Sequence, residues 1–149
     1  MNYQEERFGN IVSELEPLLH EHWLELALNQ DVRPLDVDYE TYTQLNDIGI
    51  LRVFTARDLQ GKLAGYFSCL LAKNLHYKSW FYALTDVYYL RPEYRNKQIG
   101  KQFFREIENW LKGHGVKSLI VQDKIHKSHE SFFIKLGYTL TEQNYEKVF

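Results

Sequence analysis

The chain has 149 residues, 44% of them hydrophobic and 15% aromatic, which suits one compact domain spanning 1–149 with a substantial core and leaves little for a second. A net charge of -2 and a pI near 6.3 offer no overall attraction to nucleic acid or an anionic membrane, so any anion site must come from a local patch. The single cysteine, Cys69, excludes an internal disulfide and reads as core packing; with no leader pattern and no apolar run of spanning length, a soluble cytoplasmic protein is expected.

Residues 1–9 mix Tyr, Phe and charges, and leave two readings open, an edge strand or a loose arm. Ser13-Glu14-Leu15-Glu16 has a capping-box pattern, and Leu15, Leu18, Leu19, Trp23 and Leu26 follow at helical spacing. A helix is therefore predicted from Ser13, with Pro17 tolerated because it falls near the start. His20 and His22 are two residues apart, point to different faces and read as solvated or rim side chains, not metal ligands. Residues 31–38, with Pro34, form a loop, and 38–45 a second short helix. Residues 50–56 read as a strand, 58–62 as its hairpin turn, 63–72 as the antiparallel partner and 80–90 as a third extended run.

At Leu90 the period changes. Val87, Tyr88 and Tyr89 favour a half-buried strand that Pro92 ends, and Ile99, Phe103, Ile107, Trp110 and Leu111 then mark an amphipathic helix over 99–113. The first-turn amides of such a helix lack partners and carry the positive end of its dipole. Arg95, Lys97 and Lys101 add charge there, and Gly100 permits close approach, which together suit a phosphate or pyrophosphate. Gly113-His114-Gly115 signals the helix end, and 116–121 reads as a short buried strand. Strand, helix and strand in that order imply a right-handed parallel crossover, so the meander joins a parallel element in a mixed α+β sheet.

Arg95-Asn96-Lys97-Gln98-Ile99-Gly100 resembles the acyl-CoA-binding signature of the GNAT N-acetyltransferases: Gln or Arg, two residues, Gly, one residue, then Gly or Ala. Gln98 stands where that pattern has its first Gly and tolerates positive φ much less readily, so two readings stay open: a loop of different curvature, or Gln98 in an ordinary conformation. Ser131-Phe132-Phe133-Ile134-Lys135-Leu136-Gly137-Tyr138 resembles a second GNAT segment, Phe-Tyr-Glu-Lys-Leu-Gly-Phe. With 86–92, 75–77, His129 and 145–147, the ensemble is similar to members commonly encoded by phages and prophages, over nearly the whole chain.

The resemblance implies a GNAT fold: a mixed, mostly antiparallel sheet flanked by helices, with a splayed strand pair holding acyl-CoA. It implies acetyl-CoA as co-substrate and direct acetyl transfer to a primary amine, with the first two helices walling the acceptor site. Pantetheine would pair with the strand at Tyr88 and Leu90, and pyrophosphate would meet Arg95, Asn96, Lys97, Gln98, Ile99, Gly100 and Lys101. Many relatives place at position 133 a tyrosine that protonates the leaving thiolate; Phe133 has no such proton. Replacement candidates are Asp86 as general base, provided it is buried, Tyr88 on the same strand face by period two, and His126, where relatives often have Asn. Asp123, His126 and His129 also have a spacing that a metal could use, but nothing in the resemblance calls for one, so no metal, nucleic-acid or membrane partner is expected, and a homodimer stays open. A competing expectation, prompted by Gln98 and Phe133, is a GNAT-shaped binding or structural module without turnover.

Overall fold

The structure, a computed structural model, describes residues 1–95 and 98–149. The elements are β1 (Asn2–Glu5), α1 (Phe8–Leu26), α2 (Tyr39–Asp47), β2 (Leu51–Arg57), β3 (Leu63–Lys73), β4 (Phe81–Leu90), α3 (Ile99–Gly113), β5 (Ser118–Ile120) and α4 (Glu130–Leu136). The strands lie in the order β1-β2-β3-β4-β5; the first four are antiparallel and β5 runs parallel to β4. This is a mixed sheet with helices on both faces, the architecture that the resemblance implies. Residues 1–9 resolve as an edge strand followed by the start of α1.

Near-continuous burial along β2 and β3 follows from cover on both faces. On one face Phe8, Ile11, Leu15 and Leu18 of α1 pack against Leu51, Val53, Tyr66 and Tyr89 of the sheet. On the other, Phe103, Phe104, Ile107 and Leu111 of α3 and Phe133 of α4 pack against Phe54, Phe67, Cys69 and Ala83. Cys69 is fully buried there, and burial pushes its thiol up to about 12, so it packs and does not react.

α1 starts five residues before Ser13, which corrects the capping-box reading. Phe8 and Ile11 extend the buried stripe toward the N-terminus, and the Phe8 amide donates to Asn46 Oδ1 (2.9 Å), while Asn46 Nδ2 donates to the Leu51 carbonyl (3.1 Å). Pro17 is thus interior to the helix. It lies on the exposed side, where water can satisfy the carbonyl it frees; the cost of about 3 kcal/mol is offset by burying four apolar side chains at about 1.5–3 kcal/mol each. α2 begins as expected, with Asp38 Oδ1 accepting from the Thr41 amide at 2.9 Å.

Two departures in β4 create the site. Its pairing with β5 runs only from Tyr82 to Leu84, opposite Ser118 to Ile120, so the apolar run 116–121 is a strand over half its length. Beyond Leu84 the two strands part. On the other edge Ser68 pairs with Val87 and Cys69 with Thr85, so Asp86 is an extra residue, a β-bulge.

Candidate active site

The bulge overturns the period-two expectation for Asp86 and Tyr88. An extra residue in the ladder shifts the alternation by one, so Asp86 joins Val87 on the α1/α2 face, while Tyr88 points to the α3/α4 face. Asp86 Oδ2 accepts hydrogen bonds from Tyr42 Oη of α2 (2.5 Å) and Ser68 Oγ of β3 (2.9 Å). The residue is exposed, so the burial expected of a general base is not met. Burial and the bond to Asp86 hold the Tyr42 phenol well above the usual tyrosine range, which keeps it a donor.

His22 reaches the same face. Its Nδ1 lies 2.6 Å from Tyr66 Oη, and its ring stacks on Tyr89 with centroids 5.0 Å apart. Burial lowers its pKa to about 4, so it is neutral at pH 7; of the two expectations, solvated or rim, the half-buried ring meets the second. The signal was in the sequence: Phe8, Ile11, Leu15, Leu18 and His22 continue one helical stripe. Two ion pairs flank it. Arg91 holds Glu21 through two bonds of 3.0 and 2.9 Å, and Arg95 holds Glu25 through two of 2.6 and 2.7 Å. Arg95 Nε also donates to the Leu90 carbonyl at 2.7 Å. Arg95 therefore clamps α1 to the end of β4 and is not the mobile charge expected of it.

Across the gap beyond Leu84, Thr85 Oγ1 donates to the Ile120 carbonyl (3.0 Å) and Tyr88 Oη to Asp123 Oδ1 (3.3 Å). Asp123 Oδ2 also accepts from Ser128 Oγ (2.7 Å) and the His129 amide (2.8 Å), which fixes the turn into α4. Burial and the Asp123 carboxylate keep the Tyr88 phenol above its ordinary range. Tyr88 stands edge-on to Phe133, with centroids 5.9 Å apart, in a cluster with Phe67 and Phe104. His126 is drawn elsewhere: its Nε2 lies 3.2 Å from the Leu26 carbonyl at the C-terminus of α1, beside Lys127 Nζ on the Glu25 carbonyl at 2.8 Å. It caps a helix there and does not join Tyr88. Among the described residues no group of three or more His, Cys, Asp or Glu is arranged to hold a metal ion.

At the entrance to α3, Gln98 adopts φ 57°, ψ 6°, the left-handed conformation that glycine takes without strain. A residue with a Cβ in that conformation costs roughly 1–2 kcal/mol. Among the described residues no side chain caps this helix start and no acid stands in its first turn. Among the described residues the nearest neighbours of a Cβ at Gly100 would be Phe132 and Leu90, at 3.6 Å and beyond, so their packing does not require glycine there. The expected loop residues Asn96 and Lys97 lie outside the described residues; Ile99 is buried and Lys101 half-buried in the first turn.

Comparison with known proteins bears on the fold and the family. A ribosomal-protein-alanine N-acetyltransferase from Brucella melitensis biovar Abortus superposes with a TM-score of 0.73 at 15% identity, covering 100% of both chains. An aminoglycoside acetyltransferase from an uncultured soil metagenomic sample, in complex with sisomicin, gives 0.77 at 14% identity over 99% of this chain and 94% of its own. A predicted acetyltransferase from Clostridium acetobutylicum, in a structure with acetyl-CoA, gives 0.71 at 12% identity over 99% and 95%. No curated protein sequence matches the chain. The family model described as Acetyltransferase (GNAT) family matches residues 15–138, and on that match the chain belongs to the GNAT acetyltransferases.

Proposed function

We propose that this GNAT acetyltransferase moves the acetyl group of acetyl-CoA directly to a primary amine. The observation that carries the reading is the conjunction at the end of β4: an edge left open beyond Leu84, leading into a helix start that no described side chain caps. Gly100 tests whether that start fits a bound pyrophosphate. Glycine inside a helix costs about 1 kcal/mol relative to alanine, and among the described residues the nearest atoms leave room for a Cβ, which supports close approach by a ligand.

Acetyl-CoA would supply an activated thioester. The first-turn amides of Gln98, Ile99, Gly100 and Lys101 would hold its pyrophosphate, with Lys101 adding charge, and the open β4 edge at Tyr88 and Leu90 would pair with its pantetheine. A backbone amide near Leu90 would polarise the thioester carbonyl. On the α1/α2 face Asp86, exposed to solvent, would relay the proton of the attacking amine to water in place of the buried base expected, while Tyr88, held by Asp123, fixes the opposite wall. Since Arg95 is engaged with Glu25, binding strength rests on the amides more than on that side chain.

Thiol release from acetyl-CoA by the purified protein against a mixed amine library tests the reading. Amine-dependent release with an N-acetylated product is expected. Acetyl-CoA binding with no release for any amine would contradict it.

A further inference from the structure

We propose that Tyr42 and Ser68 are positioning residues for Asp86, and that the acceptor is an amine protonated at neutral pH, recognised by the Asp86 oxygen they leave free. The inference rests on the acetyltransferase reading above and adds to it a substrate class and two residues.

Three elements converge on one oxygen. The bulge of β4 turns Asp86 toward α2, where Tyr42 Oη donates to Oδ2 at 2.5 Å, and toward β3, where Ser68 Oγ donates to the same atom at 2.9 Å. An exposed carboxylate ordinarily samples several rotamers; two donors from different elements confine this one. The donors are themselves fixed. Ser68 is 3% exposed, and the Tyr42 ring stacks on Phe8 with centroids 5.1 Å apart.

The charge of Asp86 is a second, independent observation. Four carboxylates here are paired with arginines, Glu6 and Glu14 with Arg57, Glu21 with Arg91 and Glu25 with Arg95; Asp38, Asp58 and Glu108 each take one hydroxyl, whereas Asp86 takes two, from α2 and β3. Both donors to Asp86 are neutral hydroxyls, and among the described residues no Lys, Arg or His side chain bonds to it. Its Oδ1 carries no bond from a described residue. A fixed, exposed carboxylate oxygen without a cation is complementary to an ammonium group.

Asp86 then takes one proton from the ammonium and passes it to water. The nitrogen pair so freed forms the N–C bond as the C–S bond of the thioester breaks. The sulfur leaves with its electron pair and receives the second amine proton through solvent.

The test combines kinetics with a readout that needs no turnover. Thiol release would be followed with acetyl-CoA and 1,4-diaminobutane, or 4-methoxyaniline as an acceptor uncharged at pH 7.5, for the parent, Tyr42→Phe, Ser68→Ala, Asp86→Asn and the double variants. Tyr42→Phe retains the ring that stacks on Phe8, so its fold is expected to persist. Each hydroxyl deletion should lower kcat/KM for the diamine on the order of tenfold, as expected for one charge-assisted hydrogen bond, with KM for acetyl-CoA unchanged. In the Asp86→Asn background neither deletion should matter further. In the ligand-free protein, the downfield Tyr42 hydroxyl proton should vanish in Tyr42→Phe and move upfield in Asp86→Asn. An active parent in which Tyr42→Phe costs the same with and without Asp86 would overturn the positioning role alone. A preference for the neutral arylamine would overturn the substrate class. A parent that binds acetyl-CoA yet acetylates no amine would remove the acetyltransferase reading and this proposal with it.

Discussion

Within five residues β4 presents two unlike faces. Toward α1 and α2 it offers Asp86 with the hydroxyls of Tyr42 and Ser68, and Tyr89 under the neutral His22 bonded to Tyr66. Toward α3 and α4 it offers Tyr88, ringed by Phe67, Phe104 and Phe133, with one hydroxyl committed to Asp123. Under the proposed function the first face would move protons and recognise charge; the second is an aromatic wall, which Phe133 completes. One extra residue in the ladder separates the two.

The comparison breaks first at Asp86. Replacing it with Asn should lower turnover by roughly 10²-fold or more, as for loss of a general base, while acetyl-CoA binding measured by calorimetry stays within twofold. Full activity in Asp86→Asn would move the chemistry off that face.

A second effect belongs to His22. The folded protein keeps it neutral down to about pH 4, whereas the unfolded chain protonates it near 6.5. Between those values the unfolded state binds more protons, so the contribution is complete above about pH 6.5 and lost as the pH falls toward 4, about 3 kcal/mol in all. Denaturant midpoints at pH 7 and pH 4.5 should show a steep loss in the parent and a shallower one in His22→Phe. Parallel losses would mean that His22 is not buried as described.

Gly100→Ala sharpens the assignment at α3. Unfolding stability should rise by up to about 1 kcal/mol, since a helical glycine is replaced and the new Cβ meets only ordinary contacts. Acetyl-CoA affinity should fall on the order of tenfold as the methyl intrudes on the ligand's approach. Unchanged affinity would leave the glycine unexplained. The smallest effects are expected at Gln98 and Phe133. Gln98→Gly should preserve acetyl-CoA binding and stabilise the fold by less than about 1 kcal/mol, because relief of the left-handed strain is partly cancelled by the added freedom of the unfolded chain. Phe133→Tyr should leave the rate within about twofold and cost stability of roughly 1–3 kcal/mol for a hydroxyl buried among rings. A tenfold gain in rate would show that thiolate protonation had been limiting.

Much of the fold was legible because periodicity is a local signal. The run Ile99, Phe103, Ile107, Trp110 and Leu111 marked α3 at the bounds observed, and Gly137 ended α4 with φ 94°. The junction after Leu90 was readable for the same reason: a change of period locates a helix start. What could not be read were contacts between distant segments. The bulge at Asp86 depends on the register of β3 against β4, and only that register reveals Tyr42 and Ser68 as its partners. Arg95 looked like free charge because Glu25 lies 70 residues away. His126 shared a helical turn's spacing with His129 but is claimed by the end of α1. His22 was within reach, two turns along a stripe already begun at Leu15, but its partners Tyr66 and Tyr89 were not.

The position of bound acetyl-CoA is the most direct test of the proposed site. Hydrogen exchange of the backbone amides with and without acetyl-CoA would locate it in the unmodified protein. Protection is predicted at Gln98 to Lys101 and along the open edge of β4 from Asp86 to Leu90, with the β3–β4 turn at 74–80 unchanged. Binding confirmed by calorimetry with no added protection at either segment would contradict the account.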